Sequence, residues 1–234
     1  DKGDTIIYDQ NIHASIRDGI RLSNARSFSF EHNNIEALEK KLQQADGHIL
    51  VAIESVYSMD GDEAPLEKIV AICEKHKADI ILDEAHATGV KGKNGEGLAQ
   101  SLNLEVKIFA RVHTFGKAMG CHGAIVLGSE DLRQYLINFA RSFIYTTALS
   151  EHSLNAIESA YDKLKESDEL IEQLSHNISL FQSLLSKKLQ SKLISSSSPI
   201  QCILIPENET VKKVETGLQK KGLNIRAIMN PTVE

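Results

Sequence analysis

The chain has 234 residues, of which 41% are hydrophobic and 25% charged, and a net charge of −6 at pH 7. That length suits one large domain, alone or with a smaller partner, and the composition is that of an ordinary globular protein. The acidic balance gives no electrostatic footprint for a nucleic-acid backbone, and no apolar run approaches the roughly 20 residues a membrane-spanning helix requires.

In chain order, residues 5–9 (TIIYD) read as a strand and residues 25–30 (ARSFSF) as a weaker one. Residues 34–44 place Ile35, Leu38 and Leu42 at helical spacing. Residues 48–55 (HILVAIES) form a continuous apolar strand. Residues 65–77 begin with Pro65 at a helix start and set Leu66, Ile69, Val70 and Cys73 on one face. Three further strands follow at 78–85, 107–114 and 123–128. Strands without polar alternation, separated by helices, predict a mostly parallel sheet with helices on both faces, an α/β class. Beyond about residue 150 the texture changes. Residues 151–193 read as helical almost throughout and 195–198 (SSSS) as a short break. Residues 200–206 then read as a strand, 211–222 as a helix stopped by Gly222, and 224–229 as another strand. This predicts a smaller α+β unit after the large one.

Cys73, Cys121 and Cys202 are odd in number and far apart, without CxxC or metal-ligand spacing. No disulfide framework and no metal site are expected, and a reducing, cytoplasmic compartment is. No signal-peptide pattern opens the sequence, although its first residues read like mid-domain sequence.

One apolar run drives straight into Asp83-Glu84-Ala85-His86. In a nucleic-acid helicase such a run follows a phosphate cradle, G-x-x-x-x-G-K-[ST], but residues 1–82 contain none. Ordinary capping after a strand is the plainer alternative. A second stretch, VHTFGKAMGCHGA (112–124), sets Lys117 among small and apolar residues. Burial there would lower an amine's pKa and make it nucleophilic toward an aldehyde. The flanking glycines allow a flat ligand to approach the backbone, and Thr114 offers a hydroxyl. A lysine in a tight structural loop is the alternative.

Four stretches taken together, HASIRDG (13–19), ESVYSMDGDEAPL (54–66), DEAHATG (83–89) and TFGKAMGCHGA (114–124), resemble in order and spacing the α-oxoamine synthase family of fold-type-I pyridoxal-phosphate (PLP) enzymes. The resemblance covers nearly the whole chain. It implies the PLP-dependent transferase fold type I: a three-layer α/β/α large domain, here 1–165, and a smaller C-terminal α+β domain, here 166–234. It also implies that the family's N-terminal portion lies upstream of Asp1, and that an arginine for the substrate carboxylate lies beyond Glu234.

The resemblance further implies a role for each position. Lys117 would bond the cofactor's aldehyde and move the substrate's proton, and Asp83 would face the pyridine nitrogen. His86 and Ser58 would lie near the ring hydroxyl, His13 on the ring face, and Thr114 on the phosphate. Thr146 and Thr147 would reach the phosphate of a neighbouring subunit, which makes the expected assembly a homodimer with a shared active site. Alternatives stay open: a helix cap for His13, turn chemistry for Ser58, and a helix N-cap for Thr146 and Thr147. Glu84 reads as structural, and His113 and His122 as packing or support. Glu54 resembles a family acid near the substrate. The reaction implied is condensation of an amino acid, L-alanine, with an acyl thioester such as a pimeloyl thioester, with loss of CO₂. Family members using glycine or serine and other acyl chains are its nearest competitors, and a PLP-binding chain without catalysis is the alternative of another class. Neither nucleic acid nor membrane is an expected partner.

Overall fold

A computed structural model of the chain describes residues 2–229. Its strands are β1 (Thr5–Asp9), β2 (Arg26–Phe30), β3 (Ile49–Glu54), β4 (Asp79–Asp83), β5 (Ala110–Thr114) and β6 (Ala124–Gly128). Its helices are α1 (Ala14–Leu22), α2 (Ile35–Leu42), α3 (Leu66–His76), the short α4 (Leu98–Ser101), α5 (Glu130–Phe139), the short α6 (Arg141–Ile144), α7 (Glu151–Lys165), α8 (Asp168–Leu184), the short α9 (Lys187–Gln190) and α10 (Asn208–Gln219).

The strands form one six-stranded sheet in the order β2-β1-β3-β4-β5-β6. All neighbours pair in parallel except β5 and β6, which form an antiparallel hairpin. From β1 the chain steps outward to β2, then returns past β1 to build β3, β4 and β5 on the other side. The strand order therefore reverses between β1 and β3, the place where open α/β sheets collect ligands beyond their carboxyl ends.

One face of the sheet is the core. Ile7, Val51, Ile53, Ile80 and Leu82 pack there against Leu38 and Leu42 of α2 and Leu66, Ile69, Val70 and Cys73 of α3. Burying a side chain of this size stabilises by roughly 1.5–3 kcal/mol, so the continuous apolar runs have their physical cause here. The register sets Leu50, Ile81 and Val112 on the other face, where each is half-buried.

The strands and the helices α2 and α3 lie where periodicity places them. Helix α1 and helix α5 were not read from the sequence. Helix α5 carries a legible start, because Ser129 accepts a hydrogen bond from the Leu132 N–H and two acids follow it. Two expected strands do not form. Within residues 200–206 only an isolated bridge, Leu193 to Ile203, exists, flanked by Ile194 N–H to the Cys202 carbonyl at 2.9 Å. Residues 224–229 run without strand pairing. A β-branched run becomes a strand only where a neighbouring segment takes up its backbone groups in a continuous ladder; here residues 192–194 take up only those around Ile203, and no strand pairs with 224–229 among the described residues. The end of the expected small domain, residues 230–234, lies outside the described residues.

The serine run is more than a break. Ser196 and Ser198 are buried. Ser196 Oγ donates to the Gly61 carbonyl at 2.6 Å, and Lys91 Nζ joins Glu63 Oε1 and Ser197 Oγ, both at 2.7 Å. This segment is seated on the turn that follows β3. Gly61, at φ +75°, permits the seat, since a Cβ there would stand 2.3 Å from the Ile200 carbonyl oxygen. All three cysteines are free, and no helix among the described residues is long and apolar enough to cross a membrane.

Candidate active site

Parallel register aligns the ends of three strands. Glu54 and Asp83 are Cα partners, as are Asp83 and Val112, two residues before Thr114. Adjacent strands lie about 4.8 Å apart, so two carboxylates stand side by side on one face at the carboxyl edge. Glu54 is buried and Asp83 half-buried. Burial, then the charge of Asp83, pushes the Glu54 carboxyl up to about 8, against the opposing pull of the His13 backbone N–H and the Lys117 ammonium. Burial also pushes Asp83 upward, opposed by the Ala85 N–H, which donates to Asp83 Oδ1 at 2.8 Å, and by Lys117 and His13. Burial, followed by the charges of Lys117 and His13, holds the His86 imidazole down to about 4. Mutual influence of this kind requires proximity. His13, Glu54, Asp83, His86 and Lys117 therefore form one cluster, drawn from the ends of β1, β3 and β4 and from the loop after β5.

That loop, residues 115–123, is closed by Phe115 N–H to the Gly123 carbonyl at 2.9 Å and Cys121 N–H to the Phe115 carbonyl at 2.7 Å. It presents Lys117 exposed, not buried among apolar side chains as its neighbours in sequence suggest. The apolar flanks, Phe115 and Met119, turn inward instead. Gly89 (φ +77°) lets the loop after β4 approach so closely that a Cβ there would lie 2.9 Å from the Ala118 Cβ. The glycines of the two motifs thus pack the DEAHATG turn against the lysine loop.

Other positions separate function from support. Both oxygens of the buried Glu84 carboxylate accept backbone N–H groups at the start of α4, Leu98 at 2.9 Å and Ala99 at 2.8 Å, a structural role. Thr88 Oγ1 donates to the Glu84 carbonyl at 2.8 Å and therefore accepts from His113 Nδ1 at 2.7 Å. The buried His113 braces the turn carrying His86. His122 is exposed on the lysine loop. His13 caps α1, its Nδ1 accepting from the Ser15 N–H at 3.2 Å, while remaining exposed at the mouth of the cluster. Ser58 lies half-buried in the turn closed by Gly61 N–H to the Tyr57 carbonyl at 2.9 Å, so turn chemistry describes its backbone. Thr146 and Thr147 lie on the exposed segment after α6, and Thr146 Oγ1 donates to the Ser142 carbonyl. Neither caps α7, because Ser150 does.

The family model for aminotransferase class I and II matches residues 1–234. The chain belongs to the aminotransferase class I and II family. An 8-amino-7-oxononanoate synthase of Emericella nidulans is 40% identical over 253 residues, covering 99% of this chain and 61% of that protein. A variant serine palmitoyltransferase from S. paucimobilis, solved with a bound PLP–myriocin aldimine, superposes with a TM-score of 0.90 at 30% identity, over 99% of this chain and 59% of the other. An 8-amino-7-oxononanoate synthase from Francisella tularensis superposes with a TM-score of 0.86 at 32% identity, over 99% and 68%. The chain spans about three fifths of the curated relatives it matches. The fold is that of these fold-type-I enzymes, an α/β fold with a mostly parallel sheet.

The residues of this family member fit a cationic heterocycle carrying a phosphate. Two carboxylates crowded at the strand ends, both with raised pKa values, are short of positive charge. The Glu54 Oε1 and Thr114 Oγ1 atoms are buried and have no hydrogen-bond partner, an arrangement that costs about 1–3 kcal/mol per atom until a ligand or water fills it.

The state of Glu54 has a measurable consequence. Its folded pKa of about 8 exceeds the value of 4.5 for a free glutamate side chain. Between those values the folded chain holds a proton that the unfolded chain releases, so stability falls as pH rises through the window. Glu54→Gln is expected to abolish that fall and to gain about 5 kcal/mol relative to the parent as pH rises from 4.5 to about 8. Urea unfolding at a series of pH values measures it, and parallel stability curves for the two proteins would refute the raised pKa.

Proposed function

We propose that the protein to which this chain belongs is a PLP-dependent α-oxoamine synthase, and that its reaction is that of 8-amino-7-oxononanoate synthase. In that reaction L-alanine condenses with a pimeloyl thioester, and the thiol and CO₂ leave. The observation that carries the reading is the paired carboxylates Glu54 and Asp83 facing Lys117 at the strand-order reversal. The greater identity to the Emericella nidulans synthase than to the serine palmitoyltransferase supports alanine over serine.

When bound, PLP supplies an electron sink for the substrate's α-carbon. The half-buried Asp83 carboxylate would face the ring nitrogen and hold a proton there. Lys117 Nζ would hold the cofactor by its aldehyde and would serve as the base for the substrate's α-proton. His86, neutral at pH 7 because its pKa is held near 4, would orient the ring hydroxyl, with Ser58 as its companion there. His13 would cover the ring face, and Thr114 Oγ1, which has no hydrogen-bond partner among the described residues, would donate to the phosphate. Glu54, protonated at neutral pH, donates toward the substrate side.

The assembly we propose is a homodimer in which Thr146 and Thr147 complete the partner's phosphate site. Exposed Tyr135, Phe139, Phe143 and Tyr145 beside them support an apolar contact there. A reducing, cytoplasmic setting and a division of the chain at 165/166 belong to the same reading.

The test is a panel of alanine, glycine and serine against pimeloyl, acetyl, succinyl and palmitoyl thioesters, read by thiol release from the full-length protein. Alanine with pimeloyl thioester is expected to give the highest kcat/KM. A higher value for another pair reassigns the substrate, and no thiol release by any pair removes the synthase reading.

A further inference from the structure

On the core side of the strand-order reversal lies a cluster that the reaction does not use. His32, two residues past β2, sets Nδ1 2.9 Å from Asp9 Oδ1 and Nε2 2.8 Å from Asp62 Oδ2. Ionised carboxylates only accept hydrogen bonds, so two such contacts require a proton on each ring nitrogen. The ring is an imidazolium.

Its surroundings hold that state. Asp9, the last residue of β1, has a side chain only 1% exposed. Its Oδ1 also accepts the Asn11 N–H at 2.8 Å and its Oδ2 the Asn33 N–H at 2.9 Å. Asp62 Oδ2 accepts Asn33 Nδ2 at 2.7 Å. The Tyr57 ring meets the imidazole edge-on at 4.4 Å. Asp60 faces the cluster too, with its carboxyl pushed up by burial and by Asp62 and eased by His32. Burial works against the His32 charge, but the hydrogen bonds to Asp62 and Asp9 outweigh it and raise its pKa to about 10.

The two ends of this bridge matter because of what they carry. Asp9 starts the four-residue path to His13. Asp62 closes the turn that leaves Glu54 and contains Ser58, with Tyr57 N–H donating to the Asp62 carbonyl at 3.0 Å. These paths lie on opposite sides of the reversal, and β1 meets β3 only as far as Tyr8 and Ala52. Beyond that pair the ladder stops, and the Asp9–His32–Asp62 bridge continues the connection.

We propose that His32 is a positioning residue, a permanently protonated clamp that ties the end of β1 to the turn after β3 and thereby sets His13 and Ser58 against the cofactor plane. Its effect on the cofactor rests on the function proposed above; the clamp itself does not. The donor atoms of His32, Asp60 and Asp62 also lie within 4.8 Å of one another, the spacing of a metal site. An imidazolium has no lone pair for a metal, so the clamp is held by protons.

The test uses the full-length protein. Imidazole ¹⁵N spectra at pH 8 are expected to show both His32 nitrogens protonated, and one bare nitrogen overturns the clamp. A stoichiometric divalent ion that copurifies with the parent and is absent from His32→Gln also overturns it. His32→Gln keeps one N–H donor and loses the second. It is expected to weaken PLP binding about 10- to 100-fold and to lower kcat, with KM for the thioester within about twofold. Asp62→Asn is the second variant, should His32→Gln not fold, and is expected to act in the same direction. PLP affinity and kcat unchanged in a folded variant overturn the positioning role, whatever happens to thermal stability. If the parent itself takes up no PLP, the proposed function fails, and the ¹⁵N spectra still decide the clamp.

Discussion

Lys117→Ala in the full-length protein is expected to abolish turnover, by about 10⁴-fold or more, and to leave PLP reversibly bound, with no adduct trapped by borohydride. Under the proposed function the loss is large because one amine would serve twice, as the attachment point and as the base that takes the α-proton. Removing the residue at which two steps meet is not offset by the rest of the site. A second readout needs no cofactor. The Lys117 charge helps hold the His86 pKa down to about 4 and opposes the upward push on Glu54 and Asp83. In the Ala variant without PLP, His86 is expected to titrate higher, moving toward an ordinary histidine value. Histidine NMR titration measures it. Turnover near the parental rate, or a His86 titration that does not move, would remove Lys117 from the site.

Asp83→Asn is expected to cost about 10²–10³ in kcat. An amide is nearly isosteric with the carboxylate and keeps an acceptor oxygen for the Ala85 N–H, so the turn at 83–85 survives. It cannot supply the negative charge that, under the proposed function, would keep a proton on the ring nitrogen. The same substitution removes the like charge beside Glu54, whose pKa is raised first by burial and then by Asp83. The pH window over which Glu54 weakens the fold therefore narrows from its upper end. Steady-state kinetics with near-parental PLP affinity, paired with urea unfolding across pH, separates lost electronics from lost structure. Full activity in Asp83→Asn would show that the carboxylate is not the ring's partner.

Thr114 and Asp83 illustrate how far a motif carries. Asp83 stands out because it closes an apolar strand, and a strand's carboxyl end is where an α/β sheet exposes its ligands, whereas Thr114, at the end of the mixed strand Ala110–Thr114, stands out by its hydroxyl three residues before Lys117. Lys117 stands out by its company of small and apolar residues, yet that company does not bury it. Phe115 and Met119, two residues to either side, are buried, whereas Gly116, Lys117 and Ala118 are all exposed at the tip of the nine-residue return between two paired strands. His32 carried no comparable signal. In FEHNN it is one polar residue among several after a weak edge strand, and only its distances to Asp9 and Asp62 distinguish it.

The serine run and the two missing strands mark the same boundary. Serines in sequence read as a break, since their side chains compete for backbone hydrogen bonds. In the folded chain that capacity joins Ser196 to Gly61, 135 residues away. The stretch near residue 203 finds only the isolated bridge to Leu193 and the stretch near 226 no strand partner among the described residues, and propensity alone does not build a ladder.

By itself the sequence determined the six strands, the two core helices and the residues that crowd the carboxyl edge, because burial periodicity and strand-end chemistry are local properties written into consecutive residues. Only the tertiary structure decided the order β2-β1-β3-β4-β5-β6, the side-by-side meeting of Glu54 and Asp83, the exposure of Lys117 and the bridge from Asp9 through His32 to Asp62. The physical reason is that pairing energies depend on which distant segments become neighbours, and neither spacing nor composition specifies that choice.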